Sequence, residues 1–66
     1  MKLNKKAFEL ALAKKQMSKA ELSAKSGVSL STITKLSSEK HEGKPKTAGK
    51  IAQALGVDVT DIMKED

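Results

Sequence analysis

Apolar residues at Leu3, Ala7, Phe8, Ala11 and Leu12 recur with the period of one helix face, while Lys5, Lys6, Lys14 and Lys15 occupy the rest of that surface. This pattern predicts a first helix over residues 4–15, ending near Gln16. Ser18 then stands three residues before Glu21, the spacing of a capping box, and Met17 and Leu22 flank it as a hydrophobic staple. Gly27 suits the left-handed position where a helix stops and a Cβ costs energy. A second helix over 19–26 follows. The device recurs twice: Val28, Ser29 and Ile33 repeat the relation of Met17, Ser18 and Leu22, and Val57, Asp58 and Ile62 repeat it again. In each case the Ser or Asp oxygen accepts from free backbone N–H groups, and the apolar pair fixes the angle at which the chain enters the helix. A third helix over 30–38 and a last one over 59–63 are expected. Residues 39–46 are polar and interrupted by Gly43 and Pro45, which predicts a loop. Thr47 is expected to cap a fourth helix over 48–55, with Ile51, Ala52 and Leu55 on one face and Gly56 closing it. No stretch alternates for long enough to predict a strand. The fold class is all-α: one domain over 1–66 with five short helices and a core of Phe8, Leu12, Met17, Leu22, Ile33, Leu36, Ile51 and Leu55.

Composition narrows this picture. A chain of 66 residues makes one domain and buries only about 60% of the surface its unfolded form exposes. Cysteine is absent, so helix packing, aided by dimerisation, has to supply the stability. His41 sits alone in a polar stretch, and neither a metal site nor a cofactor is expected. No apolar run approaches the roughly 20 residues of a membrane span. Glu9 and Lys14 interrupt the apolar stretch after the basic start, which argues against a signal peptide and for a soluble, cytoplasmic protein. All 13 basic residues are lysine and the net charge is +5. Such a surplus favours a polyanionic partner, nucleic acid first, although it also serves solubility. Glu9, Glu21, Asp58 and Asp61 read as surface or helix-start carboxylates, without a nucleophile–base pairing or a Gly-rich phosphate loop. A binding protein is expected, not an enzyme.

The second and third helices, joined through Gly27, match the geometry of a helix-turn-helix. Leu22, Val28, Ile33 and Leu36 would lock the pair together. The outer face of the third helix then carries Leu30, Ser31, Thr34 and Lys35, with Ser29 and Thr32 at its leading edge.

These residues carry a family resemblance. The run from Met17-Ser18-Lys19-Ala20-Glu21-Leu22 through Gly27-Val28-Ser29 to Thr32-Ile33 and Leu36 resembles the Cro/C1-type helix-turn-helix family. So does Ile51-Ala52-Gln53-Ala54-Leu55-Gly56-Val57 followed by Ile62-Met63. The resemblance implies a five-helix, lambda-repressor-like domain that reads the major groove with its third helix. Carried over by position, it implies base reading by Lys19, Ser29, Leu30, Ser31, Thr32 and Lys35. It also implies phosphate binding by Ser18, Thr34, Lys40, Lys44, Lys46 and Thr47. The residue types suit these roles: Lys donates to guanine O6 and N7, Ser and Thr donate or accept, and Leu30 packs on a thymine methyl. Helix starts at Ser18 and Thr47 would offer N–H groups to phosphate. The sequence departs from the family pattern at Ser23 and Ser26, whose hydroxyls are expected to bond back to their helix. It also lacks Arg, so Lys must replace the bidentate guanine fork.

The function implied is a Cro-like transcriptional repressor, phage-like in type, binding a palindromic operator in double-stranded DNA. It would act as a homodimer, formed in solution or only on DNA, through the fourth and fifth helices around Val57, Val59 and Met63. The alternative is an antirepressor or antitoxin on the same fold, working through a protein partner.

Overall fold

Asn4, Ser18, Ser29 and Asp58 each turn a side-chain oxygen back onto the first turn of a helix, and these four caps set most of the chain's punctuation. The computed structural model of the chain describes residues 2–38 and 42–64. Its elements run β1 (Lys2–Leu3), α1 (Lys5–Lys15), α2 (Lys19–Ser26), α3 (Leu30–Ser37), α4 (Pro45–Leu55), α5 (Val59–Ile62) and β2 (Met63–Lys64). The all-α reading holds, with five helices in the expected order. Met17 and Leu22, Val28 and Ile33, and Val57 and Ile62 each bracket a helix start as staples should, one partner buried and the other buried or packed against the core. Gly27 and Gly56 end α2 and α4 with φ of 76° and 70°, the left-handed backbone that favours glycine. Gln16 ends α1 in the same region, at φ 51°.

Three expectations need correction. The fourth helix starts at Pro45, not after Thr47: Lys44 is the N-cap residue and makes no side-chain capping bond. Pro45 was expected to break the chain, yet it opens the helix. Its fixed φ suits the first helical position, and the N–H it lacks would have had no partner there. Residues 45 and 46 therefore belong to α4 and not to a loop. The chain also contains a short antiparallel ladder, Lys2 opposite Lys64 and Leu3 opposite Met63, with a bridge from Lys2 to Glu42. Two-residue strands are too short to show an alternating pattern in sequence. Finally, the Ser23 and Ser26 hydroxyls do not bond back to α2. Ser23 Oγ donates to the Val28 carbonyl at 2.6 Å and Ser26 Oγ accepts from the Val28 N–H at 3.1 Å. Together they clamp the turn between α2 and α3.

The packing follows from these elements. α2 lies against both α3 and α4, and α5 packs on α1 and α4. The core gathers Leu3, Phe8, Leu22, Ile33, Ile51, Leu55 and Ile62, each essentially inaccessible to water. Of the eight residues expected in the core seven are buried, and Met17 is only partly buried at the core's edge. Leu3, which shares the apolar period of α1 but precedes it, is a strand residue buried against Met63 of the ladder. The Asn4 N–H donates to the Ile62 carbonyl at 2.7 Å, tying the start of α1 to the end of α5. No helix among the described residues is long and apolar enough to cross a membrane.

Candidate nucleic-acid interface

α3 is held from one side only. Ile33, Leu36 and Ser37 are buried, whereas Leu30, Ser31, Thr34 and Lys35 are exposed, with Thr32 at the margin. A helix whose apolar stripe is fully used against the core leaves its opposite face in solvent, open to a partner. That face carries hydroxyls, one lysine and a leucine that is 46% exposed although it contributes nothing to the core.

The hydroxyls at its leading end form a small network. Ser29 Oγ accepts from the Thr32 N–H at 3.3 Å as the helix cap. It also lies 2.8 Å from Thr32 Oγ1 and 3.3 Å from Ser31 Oγ. A hydroxyl oxygen has two lone pairs and one proton. Ser29 therefore accepts from the amide and one neighbour and donates to the other. One hydroxyl proton of the Ser31/Thr32 pair is left for an outside acceptor. Thr34 is in a different state, because its Oγ1 donates to the Leu30 carbonyl at 2.9 Å. Its remaining capacity is to accept, and a phosphate oxygen needs a donor.

Lys19 was placed by resemblance among the base readers. Its ammonium instead reaches the trailing end of α3, where Nζ donates to Ser37 Oγ at 3.2 Å. Ser37 is buried, and its hydroxyl passes its own proton to the Thr34 carbonyl at 2.9 Å. The lysine thus braces α2 against α3 and keeps two of its three donor protons. Ser37 was missed in the sequence, where nothing distinguishes it from the exposed Ser38 beside it.

The two helix starts expected to meet phosphate differ from each other. At α2, Ser18 Oγ accepts from the Glu21 N–H at 3.1 Å, while Glu21 Oε1 accepts from the Ser18 N–H at 3.0 Å. The hydrogen bonds from Ser18 hold the Glu21 carboxyl below the usual carboxylate range, with Lys25 adding a smaller pull. A carboxylate already occupies that end of the helix. At α4 the opposite holds. With Lys44 as N-cap and Pro45 first, no side chain covers the amides of Lys46 and Thr47. The anion-ready start is therefore at Lys44–Pro45, one turn before the Thr47 cap expected from sequence.

α4 begins next to α3. Thr32 and Leu36 of α3 share one surface depression, about 270 Å³, with Gly43, Lys44 and Thr47. Gly43 makes this approach possible: a Cβ there would stand 3.0 Å from Leu36 Cδ2. Glu42 lines the same depression, an acidic group that sequence reading did not weigh. Lys46 is exposed on the first turn of α4. Lys40 and His41 lie outside the described residues.

Comparison with known proteins adds one finding. The profile of the Cro/C1-type helix-turn-helix (HTH) DNA-binding domain matches residues 9–65. Neither the curated proteins nor the solved structures contain a match. The matched segment holds the clamped turn, the outward face of α3 and the open start of α4 beside it. The chain belongs to the Cro/C1-type helix-turn-helix DNA-binding family.

Proposed function

We propose that this protein is a sequence-specific transcriptional regulator, a Cro-like repressor that reads a palindromic operator as a homodimer. The observation that carries the reading is the adjacency of an unpartnered α3 face to the one helix start among the described residues without a side-chain cap. α3 lies in the major groove, with Leu30, Ser31, Thr32 and Lys35 facing base edges. Leu30 meets a thymine methyl, the Ser31/Thr32 pair supplies its spare proton, and Lys35 donates to guanine or to a flanking phosphate. Ser29 acts first as the cap and touches DNA only through its neighbours. Lys44, Lys46 and the amides at the start of α4 bind phosphate and set the register, as a helix N-terminus and two cations do without reading sequence. Thr47 lines the same depression and adds a hydroxyl there. Lys40, outside the described residues, is a further phosphate contact by the family resemblance alone. Lys19 contributes a phosphate contact from the trailing end of α3. Ser18, whose Oγ accepts from the Glu21 N–H, and Thr34, whose hydroxyl donates to the Leu30 carbonyl, hold the frame.

Selection from a random duplex library, followed by binding across about 50 to 200 mM salt, tests this. Several phosphate contacts predict an affinity loss of roughly 10³ or more over that range. The reading also predicts enrichment of a two-fold symmetric site with half-sites about 34 Å apart. Weak binding with no enriched sequence would refute it and favour a protein partner on the same face.

A further inference from the structure

Among the described residues two large apolar side chains stand exposed, Leu30 on α3 and Leu10 on α1, which is 57% exposed. Leu10 has no part in the core or in the DNA-facing surface. It borders a groove of about 330 Å³ between α1 and α5, walled by Ala7, Val57 and Ile62 and flanked by Lys14 and Asp61. The groove has a direction. The Asn4 N–H meets the Ile62 carbonyl at 2.7 Å, so the start of α1 lies beside the end of α5. At the other end Lys15 lies over Gly56, its Cε and Nζ 3.3 Å from where a Cβ would stand. Lys14 therefore marks one end of the groove and Asp61 lies toward the other, with Leu10 between them. No hydrogen bond or ion pair joins Lys14 to Asp61 within the chain.

We infer that this groove is where a second copy of the chain docks, antiparallel, about a two-fold axis over Leu10. The inference rests on the homodimer proposed above and assigns its surface. A two-fold contact is self-complementary by construction: whatever one copy offers, it also receives. Turning the groove end for end lays Lys14 of each copy over Asp61 of the other, twice, while both Leu10 side chains enter the shared apolar strip. The surface differs from the one expected in sequence. Met63 is buried in the ladder and offers nothing to a partner, and Val59 is packed against the core. Val57 remains, as one wall of the groove. The groove shares no residue with the depression between α3 and α4, so dimer and DNA faces are available together. The domain measures 28 × 21 × 18 Å. Two copies side by side therefore have the span to reach two half-sites one helical turn of DNA apart, roughly 34 Å. Lys6, one turn before Leu10, does not line the groove but adds a like charge near the Asp61 end. With a strip this small, the pairing is weak in free solution and strengthens on adjacent half-sites.

Sedimentation equilibrium up to millimolar protein tests the surface directly, with circular dichroism confirming the fold of every variant. Leu10→Ser weakens self-association by about tenfold or more, since the apolar centre of the contact is lost. Lys14→Glu and Asp61→Lys each weaken it similarly by placing like charges together. Mixing those two variants restores association to within about threefold of the unmodified chain, because both cross-pairs again have opposite sign. The inference is overturned if Leu10→Ser associates as tightly as the unmodified chain, if the folded mixture gains nothing, or if the unmodified chain stays monomeric both in solution and on a two-half-site duplex. Binding to a duplex with a single half-site separates this result from the DNA reading. Leu10→Ser keeps half-site affinity and loses cooperativity on the full site. Loss of half-site binding by the unmodified chain would sink the DNA reading alone.

Discussion

Ser18 and Glu21 close on each other at the start of α2, and Asp58 closes on Thr60 and Asp61 at the start of α5. The hydrogen bonds from Ser18 lower the Glu21 carboxyl, and those from Thr60 lower Asp58. A carboxylate whose folded pKa is depressed stabilises the fold fully above its unfolded value and loses that stabilisation as pH falls through the folded one. With unfolded values of about 4.3 for Glu and 3.9 for Asp, the domain should hold constant stability down to about pH 5 and weaken below it. Urea midpoints against pH should show this fall, and Glu21→Gln should make it shallower while keeping the helix; an unchanged slope would contradict the linkage. These caps were legible because a cap is a local arrangement: Ser18, Ser29 and Asp58 act on residues two or three positions away. Ser37 and Lys19 were not, since their bond joins residues 18 positions apart. The destination of the Ser23 and Ser26 hydroxyls depended on how tightly the turn closed around Val28, which composition does not encode.

α4 shows how one residue changes what an element offers. Pro45 moves the helix start back by a turn, leaves Lys44 without a capping bond and exposes amides beside α3. Lys44→Ala or Lys46→Ala should weaken binding to all duplexes alike and reduce the slope of log affinity against log salt by about 1. A change in the preferred sequence would show that these lysines read bases instead. Glu42 lines the same depression, and its charge would oppose a phosphate bound there as proposed. For unit charges roughly 7 Å apart in water the repulsion is about 0.6 kcal/mol, so Glu42→Gln should tighten binding about two- to threefold at low salt. Weaker binding by that variant would place the DNA elsewhere. Helix order and the outward face of α3 were legible from apolar periodicity. The start of α4 was not, because Pro and Gly mark both loops and helix beginnings, and Thr47 offered an equally plausible cap.

For the molecule as a whole, the ends of the chain matter more than their length suggests. β1 and β2 pair across the domain, and Leu3 in that ladder is only 1% exposed. Leu3→Ala should cost about 2–4 kcal/mol of unfolding free energy, a large part of what so small a domain holds. Thermal and urea unfolding would show it, and a loss under about 1 kcal/mol would mean the ladder contributes little. This closure was invisible in sequence, since two-residue strands carry no period and Leu3 also fits the stripe of α1. The helical body was visible, since its apolar positions, caps and left-handed glycines all agree with one packing. The central claim is that the outward face of α3 reads DNA, and substituting that face while sparing the core tests it most directly. Ser31→Ala, Thr32→Ala and Lys35→Ala are combined in one chain and titrated against the duplex that selection enriches, with helical content measured in parallel. The account predicts unchanged helicity and a loss of specific affinity of about 100-fold or more, at 1 kcal/mol or more per contact. A folded variant that keeps both the affinity and the sequence preference of the unmodified chain would contradict it.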